Sequence, residues 1–392
     1  MTEPAPTGLV LSGGGARAAY QAGALRAVAT IVGKRRSRPF PVICGTSAGA
    51  INAAALATHA EDFRRGVARL LRWWRRIDVA DVYRADFATL SRHGVRFLAA
   101  MTGAGTAPES AASMLDNAPL ADLLAKVANL DRVAAAISAG ALSALGINAT
   151  SYNTGQAVTF FQSAAGQPGW TRTRRRGEPA ALTFAHLMAS TAIPFIFPAV
   201  RVGEEFYMDG SVRQITPLSP ALHLGARRIL GIAVGQFSGQ QATQGPPTYP
   251  SFAQVVGHAL SSIFLDNLGA DLERLTQMNR LIGLMSPARL ARSGVALAHV
   301  DAMVLAPSRD IGPIALAYAD RLPAGVRTLL RGLGSTRGSG ANLLSYLLFD
   351  RGFCRALLAL GYADAMARRD ELAAFLDGSK PRFLPVFRSD GT

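Results

Sequence analysis

Residues 40–57 carry the tightest constraint in the chain. Phe40-Pro41-Val42-Ile43-Cys44 reads as a short buried strand, Gly45-Thr46-Ser47-Ala48-Gly49 as a sharp turn, and Ala50-Ile51-Asn52-Ala53-Ala54-Ala55-Leu56-Ala57 as a helix. A G-x-S-x-G run between a strand and a helix is the context in which a serine is held on a nucleophile elbow. The turn is strained, and a Cβ at either flanking glycine would crowd the backbone. The helix start leaves N–H groups free, which favours developing negative charge. This segment makes the chain a candidate enzyme, with Ser47 as nucleophile and Gly45 and Gly49 as supports of the turn.

The segments around the elbow set a fold class. Residues 8–11 read as an apolar strand entering a glycine turn, 18–31 as a helix and 34–39 as a basic loop. Strands alternating with helices predict an α/β fold, a mostly parallel central sheet covered by helices on both faces. Residues 61–76 read as an amphipathic helix, 101–113 as a loop or lid rich in small residues, and 120–145 as a helix with a break near Gly140. Residues 146–162 read as a hairpin, with strands 147–151 and 158–161 around Asn153-Thr154-Gly155. A short helix is expected over 184–191, a strand over 206–208 leading into Asp209-Gly210, and a buried strand over 229–234. Residues 236–250 are rich in Gly, Gln, Ser and paired Pro, a linker signal, and 251–376 read as largely helical with an interruption near 332–340. The expected organisation is a catalytic domain over 7–235, a linker over 236–250 and a helical C-terminal extension over 251–376.

Composition narrows the class further. With 392 residues, 49% of them hydrophobic, the chain has ample material for a core. Its net charge of +15 comes mostly from arginine and predicts attraction to polyanions, either anionic lipid or nucleic acid. Two cysteines, Cys44 and Cys354, and no C-x-x-C favour a reducing compartment over a disulfide framework. Residues 1–7 lack the basic and apolar regions of a signal peptide. The longest apolar run, 133–149, is broken by serines and glycines and falls short of the roughly 20 residues of a spanning helix. The expected location is the cytoplasm, with peripheral contact on the inner face of the membrane.

Gly13-Gly14-Gly15 follows the first strand, and Arg17 opens the helix after it. A glycine turn at a helix N-terminus aims several N–H groups at one anion, either a phosphate or the oxyanion of an acyl-transfer intermediate. Residues 13–18 also satisfy G-x-G-x-x-A, the dinucleotide fingerprint. The acidic residue expected about 20 positions on is missing; Lys34-Arg35-Arg36-Ser37 stands there and suits a 2′-phosphate, which keeps an NADP-like reading open. No Walker A lysine follows the glycines. A serine elbow in the very next βα turn favours the oxyanion.

A serine hydroxyl needs a base. An α/β-hydrolase triad would run Ser, acid, His, and His223, His258 and His299 all follow Asp209. His223 sits in a small apolar helix, His258 and His299 lie beyond the linker, and His59, His93 and His186 have no acid placed to orient them. Asp209 has the better setting, at a strand end before Gly210, where α/β ligand sites form. The competing reading of Asp209 is a turn residue capping its own loop.

Glycine loop, serine elbow and aspartate turn, in this order, resemble the patatin-like phospholipases. The resemblance covers about 7–235 and includes the 148–161 hairpin and Ala189-Ser190-Thr191-Ala192-Ile193-Pro194. It implies a three-layer patatin-like fold and a lipid acyl hydrolase that uses a Ser47–Asp209 dyad. It also implies an oxyanion hole built from Gly13, Gly14, Gly15 and Arg17, with Gly210 supporting the aspartate turn. No cofactor or metal is implied. The expected substrate is a phospholipid or lysophospholipid. Ala18 replaces the loop's last glycine and Ser211 the residue after Asp209-Gly210; neither change removes a reacting group.

Two arginine-rich stretches bear on partners. Leu70-Leu71-Arg72-Trp73-Trp74-Arg75-Arg76 mixes tryptophan with arginine, and Arg172, Arg174, Arg175 and Arg176 follow Trp170. Tryptophan suits the headgroup level of a bilayer and arginine suits anionic lipid, so one reading is an interfacial docking surface. The other is a packed helix with a solvated basic edge. No zinc-finger or RNA-recognition signature points to specific nucleic-acid binding.

Overall fold

The computed structural model describes residues 6–33, 36–86, 89, 113–164, 166–236, 252–292, 298–332 and 341–379. Among these, one sheet is built from β1 (Thr7–Leu11), β2 (Val42–Thr46), β3 (Ala144–Ser151), β4 (Ala157–Ser163), β5 (Trp170–Arg172), β6 (Arg175–Pro179), β7 (Val200–Val202), β8 (Glu205–Asp209), β9 (Arg228–Ile232) and β10 (Asp301–Leu305). Its order is β10-β9-β1-β2-β3-β4-β6-β5, with β8 added to β3 and β7 to β8. The five strands from β10 to β3 are parallel. β1, β2 and β9 are buried at every residue, as expected of strands covered on both faces.

Strand alternation divides the core in two. Leu9, Leu11 and Ile43 face one apolar cluster, while Val10, Val42 and Cys44 face the other. The first cluster is filled by α1 (Ala19–Val32), α2 (Ala48–Ala57), α3 (Phe63–Trp74), α4 (Ala118–Val127), α5 (Leu130–Ser138) and α6 (Phe184–Ser190). The second takes Ala221 from α7 (Ser219–His223) and Leu268, Leu272 and Leu275 from α8 (Phe252–Gly283). The result is the expected three layers, with the sheet in the middle.

The register sets up a working edge. Leu11 lies opposite Gly45, and Thr46 opposite Asn148, so β1 and β2 reach their carboxyl ends together, level with Asn148 of β3. β3 runs on past that edge to Ser151. β8 returns antiparallel along this overhang and ends at Asp209 opposite Ala149. The last residue of β8 therefore arrives where β2 delivers Ser47. The predicted hairpin is β3 and β4, with Gly155 at φ 64 in its turn.

One sequence expectation is corrected, and a second, the largely helical region after 251, holds with one exception. The single helix over 120–145 is two helices, parted at Ala128-Asn129, where the Asn129 side chain caps α5 through the Arg132 N–H at 3.0 Å. A turn at Gly140 follows, and β3 begins at Ala144. The run over 133–149 thus joins the end of a helix to a central strand. The region after 251 is not helical throughout. β10 pairs in parallel with β9 as the sheet's edge strand, five residues too short for periodicity to separate from a helical apolar run. The linker over 236–250, apart from Gln236, and the loop over 101–113, apart from Ser113, lie outside the described residues.

The C-terminal region also covers the first layer. α9 (Ala341–Leu347) lies against the glycine turn, and α10 (Arg351–Ala367) packs along α1. The α1–α10 approach is close enough to require glycine on both helices. A Cβ on Gly23 would stand 2.2 Å from the Leu358 carbonyl oxygen, and one on Gly361 would stand 2.1 Å from that of Tyr20. Gly361→Ala is expected to lower unfolding free energy by about 1–3 kcal/mol despite its better helix propensity, because the helices must separate. Urea unfolding reads this directly; unchanged stability would contradict the close approach.

Candidate active site

Ser47 sits at φ 56, ψ −132, a region that a non-glycine residue occupies only under constraint. Its N–H donates to Ser190 Oγ at 2.9 Å, and Ser190 Oγ donates to the Asn148 carbonyl at 2.6 Å. The elbow is thereby bolted to β3 through α6. On the other side it is closed by contact. A Cβ on Gly45 would stand 2.4 Å from the Gly49 carbonyl oxygen, and one on Gly49 would stand 2.4 Å from the carbonyl oxygens of Leu11 and Ser12. The last contact brings the elbow helix against the start of the glycine turn.

A buried polar network fixes the two turns to each other. Asn52 Nδ2, one turn into α2, donates to the Ala18 carbonyl at 3.1 Å and to Gln21 Oε1 at 2.9 Å. Gln21 Nε2 donates to the carbonyls of Ser12 at 2.8 Å and Ile232 at 3.2 Å. Trp74 Nε1 completes the set, donating to Asn52 Oδ1 at 2.9 Å. These side chains are wholly buried and satisfied by one another, the condition under which polar groups specify a core geometry.

Gly13, Gly14 and Gly15 are buried between β1 and a helical turn at Gly15–Ala18. The loop's close approaches are to protein atoms. A Cβ on Gly14 would stand 2.3 Å from Val234, and one on Gly15, at φ 54, would stand 2.2 Å from the Tyr346 carbonyl oxygen. In a dinucleotide fold such glycines make room for a pyrophosphate; here the room is filled, and the NADP-like reading does not fit. Arg17 is buried, and its guanidinium is committed to α9. Nε donates to Ser345 Oγ at 2.7 Å, one Nη to Asn342 Oδ1 at 2.9 Å, and the plane stacks on the Tyr346 ring at 4.3 Å. The Arg17 side chain therefore ties the glycine turn to the C-terminal region instead of reaching toward Ser47.

Asp209 is completely buried at the end of β8. Its N–H donates to the Ala192 carbonyl at 2.8 Å, and its Oδ1 accepts the Ser211 N–H at 2.9 Å. Gly210 presses on the Asn148 carbonyl, where a Cβ would stand 2.2 Å away. Burial pushes the carboxyl up to about 6, against the downward pull of the Ser47 hydroxyl and of Ser211. The Ser47 hydroxyl is thus near enough to pull on the carboxylate as a hydrogen-bond donor, although no donor meets Oδ2 with close hydrogen-bond geometry. A buried carboxylate beside a serine hydroxyl is an arrangement in which a proton can pass between the two. The Asx-turn bond to Ser211 is also present, so the capping and functional readings of Asp209 use different oxygens.

Ser47 and Gly15 open on an apolar cleft of about 430 Å³, part of it open to solvent. Its walls include Trp73, Trp74, Ile77, Leu123, Phe197 and Phe349. Of the two readings of the 70–76 stretch, this favours the packed helix with a solvated basic edge over the docking surface. Trp74 is 0% exposed and Leu70 and Leu71 are buried, because α3 turns its apolar face onto α1 and α2 and leaves its arginines outside. The second cluster is divided. Trp170 stacks between Phe161 and His223 at 5.0 and 4.7 Å, whereas Arg172 and Arg174 are exposed.

The described histidines are occupied elsewhere. His186 caps its own helix through the Thr183 N–H at 3.0 Å, and His223 bonds the Ser219 carbonyl at 2.9 Å. His59 lies at the far end of α2, and His299 lies beside Asp301 at the start of β10. His93 and the His258 side chain lie outside the described residues. Sequence reading missed Gln21, Asn52 and Asn148, polar residues inside otherwise apolar runs. Ser190 was quoted only as part of a motif. A polar side chain on the buried face of a helix was the available signal.

The sequence model of the family described as patatin-like phospholipase matches residues 9–222. Among solved structures, human GIVD cytosolic phospholipase A2 is similar at 12% identity over 96% of this chain and 60% of that one, with a TM-score of 0.47. VipD from Legionella pneumophila is similar at 13% identity over 96% of this chain and 67% of that one, with a TM-score of 0.33. The chain spans about 60% of the length of the human protein. No curated protein matches the sequence.

Two stability outcomes follow from the site. Arg17→Ala should cost about 2–4 kcal/mol, since it leaves Asn342 Oδ1 without its donor, takes from Ser345 Oγ the bond it accepts and removes a stacked cation, while Ser345→Ala should cost nearer 1 kcal/mol. Asp209→Asn should act in the opposite direction. A carboxyl whose folded value is raised destabilises the fold fully above about pH 6, and the penalty fades as pH falls toward the ordinary aspartate value. The asparagine variant should therefore be more stable than the parent by up to about 3 kcal/mol at pH 8, and the two should converge near pH 4. Urea unfolding across that range checks it; a parent more stable than the variant at pH 8 would contradict the burial argument.

Proposed function

Because the chain belongs to the patatin-like phospholipase family, a family of lipid-hydrolysing enzymes, we propose that it cleaves carboxylic esters of membrane lipids with Ser47 as nucleophile and Asp209 as base. The observation that carries this reading is the fully buried Asp209 carboxyl, raised by burial and pulled on by the hydroxyl of a strained Ser47 at an apolar cleft.

Asp209 Oδ2 takes the Ser47 proton as Oγ attacks the ester carbonyl. The developing oxyanion is met by the N–H groups of the turn at Gly13–Gly15, preorganised by the Gln21–Asn52 network. Collapse expels the lipid alcohol, which takes the proton from Asp209, and leaves the acyl group on Ser47. Water then gives a proton to Asp209 and attacks the acyl-enzyme. The fatty acid leaves and Oγ is reprotonated. Apolar walls receive the acyl chain, so the substrate class is a phospholipid or lysophospholipid with its chain in the cleft and its headgroup toward solvent. Arg17 acts through the loop it seats, as a positioning residue, and Gly45, Gly49 and Gly210 act by permitting close packing. The desolvation that raises Asp209 makes it a better base than an exposed aspartate.

Ser47→Ala should remove both labelling by a fluorophosphonate probe and hydrolysis of a short-chain nitrophenyl ester, with the thermal unfolding profile retained. Full activity in that variant would sink the reading. The pH profile supplies a second check. The base must be ionised, so kcat/KM should be level above about pH 6 and fall about tenfold per unit below it. Substituting His223 or His299 should leave this limb in place.

A further inference from the structure

Large exposed apolar side chains form two groups in the described residues. One is Met278, Leu281 and Leu284 at the far end of α8. Asn279 there bonds both the N–H and the carbonyl of Val300, just before β10 begins, at 3.1 and 2.7 Å. That group therefore lies at the amino edge of the sheet, opposite Ser47.

The other group is Tyr152, Phe195 and Ile215, 48%, 69% and 51% exposed. All three stand at the carboxyl edge. Tyr152 follows the overhanging end of β3. Phe195 lies between Ile193 and Phe197, which both line the cleft at Ser47. Ile215 follows the Asp209 turn, and its neighbour Thr216 is bonded by Arg175 at the start of β6, in line with the β3 overhang.

Phe195 has a second unusual property: it holds φ 67. For a bulky residue this is an outlier. The strand-like bonds on either side, Met114 N–H to the Phe195 carbonyl at 2.8 Å and Leu115 N–H to the Ile196 carbonyl at 2.9 Å, hold the backbone there. The strain sends the ring outward while Ile193 and Phe197 turn in. Charge around the group is one-sided. Arg174, Arg201 and Arg213 are exposed, Glu178 and Glu205 are paired to Arg176, and Glu204 is the exposed acid. The chain as a whole carries +15.

We propose that this carboxyl-edge face docks on an anionic phospholipid bilayer, with Phe195 entering the interface so that a lipid passes from the leaflet into the Ser47 cleft. The direction of delivery rests on the hydrolase reading; the docking itself does not. Apolar side chains at the rim supply insertion and the arginines supply attraction to lipid phosphate. No described helix is long and apolar enough to cross a membrane, so the contact is peripheral.

The test is sedimentation of the full chain with phosphatidylglycerol–phosphatidylcholine vesicles and with phosphatidylcholine alone, together with hydrolysis of vesicle lipid and of a soluble nitrophenyl ester. Wild type should prefer the anionic vesicles, and salt should weaken that preference. Phe195→Gly should reduce anionic-vesicle binding at least tenfold and reduce the ratio of vesicle to soluble-ester turnover by a similar factor. Its melting temperature should not fall, since glycine accepts φ 67 without strain. Arg213→Glu should weaken binding to anionic vesicles alone. The pair Leu281→Ser and Leu284→Ser should leave binding unchanged. Wild-type binding in Phe195→Gly, loss of binding in the Leu281/Leu284 variants, or equal binding of wild type to both vesicle types would overturn the proposal. So would a smaller gel-filtration size in Phe195→Gly with unchanged sedimentation, which would make a second copy the occupant of this face. If wild type binds vesicles through Phe195 but hydrolyses neither ester, the docking stands and the hydrolase reading fails.

Discussion

The backbone of Ser47 is the constraint on which the site depends. A residue at φ 56, ψ −132 costs on the order of 1–3 kcal/mol and persists only where its surroundings leave no alternative. Here the surroundings act from three directions. Ser190 holds the Ser47 N–H from the α6 side. Gly45 and Gly49 allow the elbow to lie against itself and against the end of β1. Asn52 and Gln21 lock α2 to α1 and to the strand ends below the glycine turn. Each contact is worth about 1 kcal/mol alone, and together they outweigh the strain. They also hold Ser47 and the glycine turn at a fixed separation.

The dryness of the cleft links binding to chemistry. Walls of Trp73, Ile77, Leu123, Phe197 and Phe349 suit an acyl chain and offer little to water. The same exclusion of water raises Asp209 above an ordinary aspartate. Any apolar group filling the cleft would remove more water and sharpen both effects. The indole of Trp74 belongs to both sides of this link, lining the cleft while its Nε1 anchors the Asn52 network. The cleft wall and the buried polar network are therefore joined through one side chain.

The parts of the site that are local in sequence were legible in sequence. The elbow, the glycine turn, the hairpin and the strand-end aspartate each declare themselves within about ten residues, because turn chemistry and strand or helix period are local properties. What sequence did not disclose is non-local. Nothing in residues 70–76 says whether two tryptophans face solvent or a neighbouring helix, and a tertiary partner decided it. The polar residues Gln21 and Asn52 acquire meaning only when α1 and α2 lie side by side. β10 is five residues in a helical neighbourhood, and it is a strand because β9 offers it an edge. Arg17 sits in a motif whose spacing suggested the oxyanion, yet its partners are more than 300 residues away.

That long span has a consequence for how the protein comes into being. The seat of the glycine turn, where Arg17 meets Asn342, Ser345 and the Tyr346 ring, joins the first βα turn of the sheet to a helix made much later. On the ribosome, the elbow and its serine emerge early and fold as soon as the first βα units can pack. The turn facing that serine stays unseated until α9 has been synthesised. Ser47 is thus made well before the side chains that seat the turn beside it.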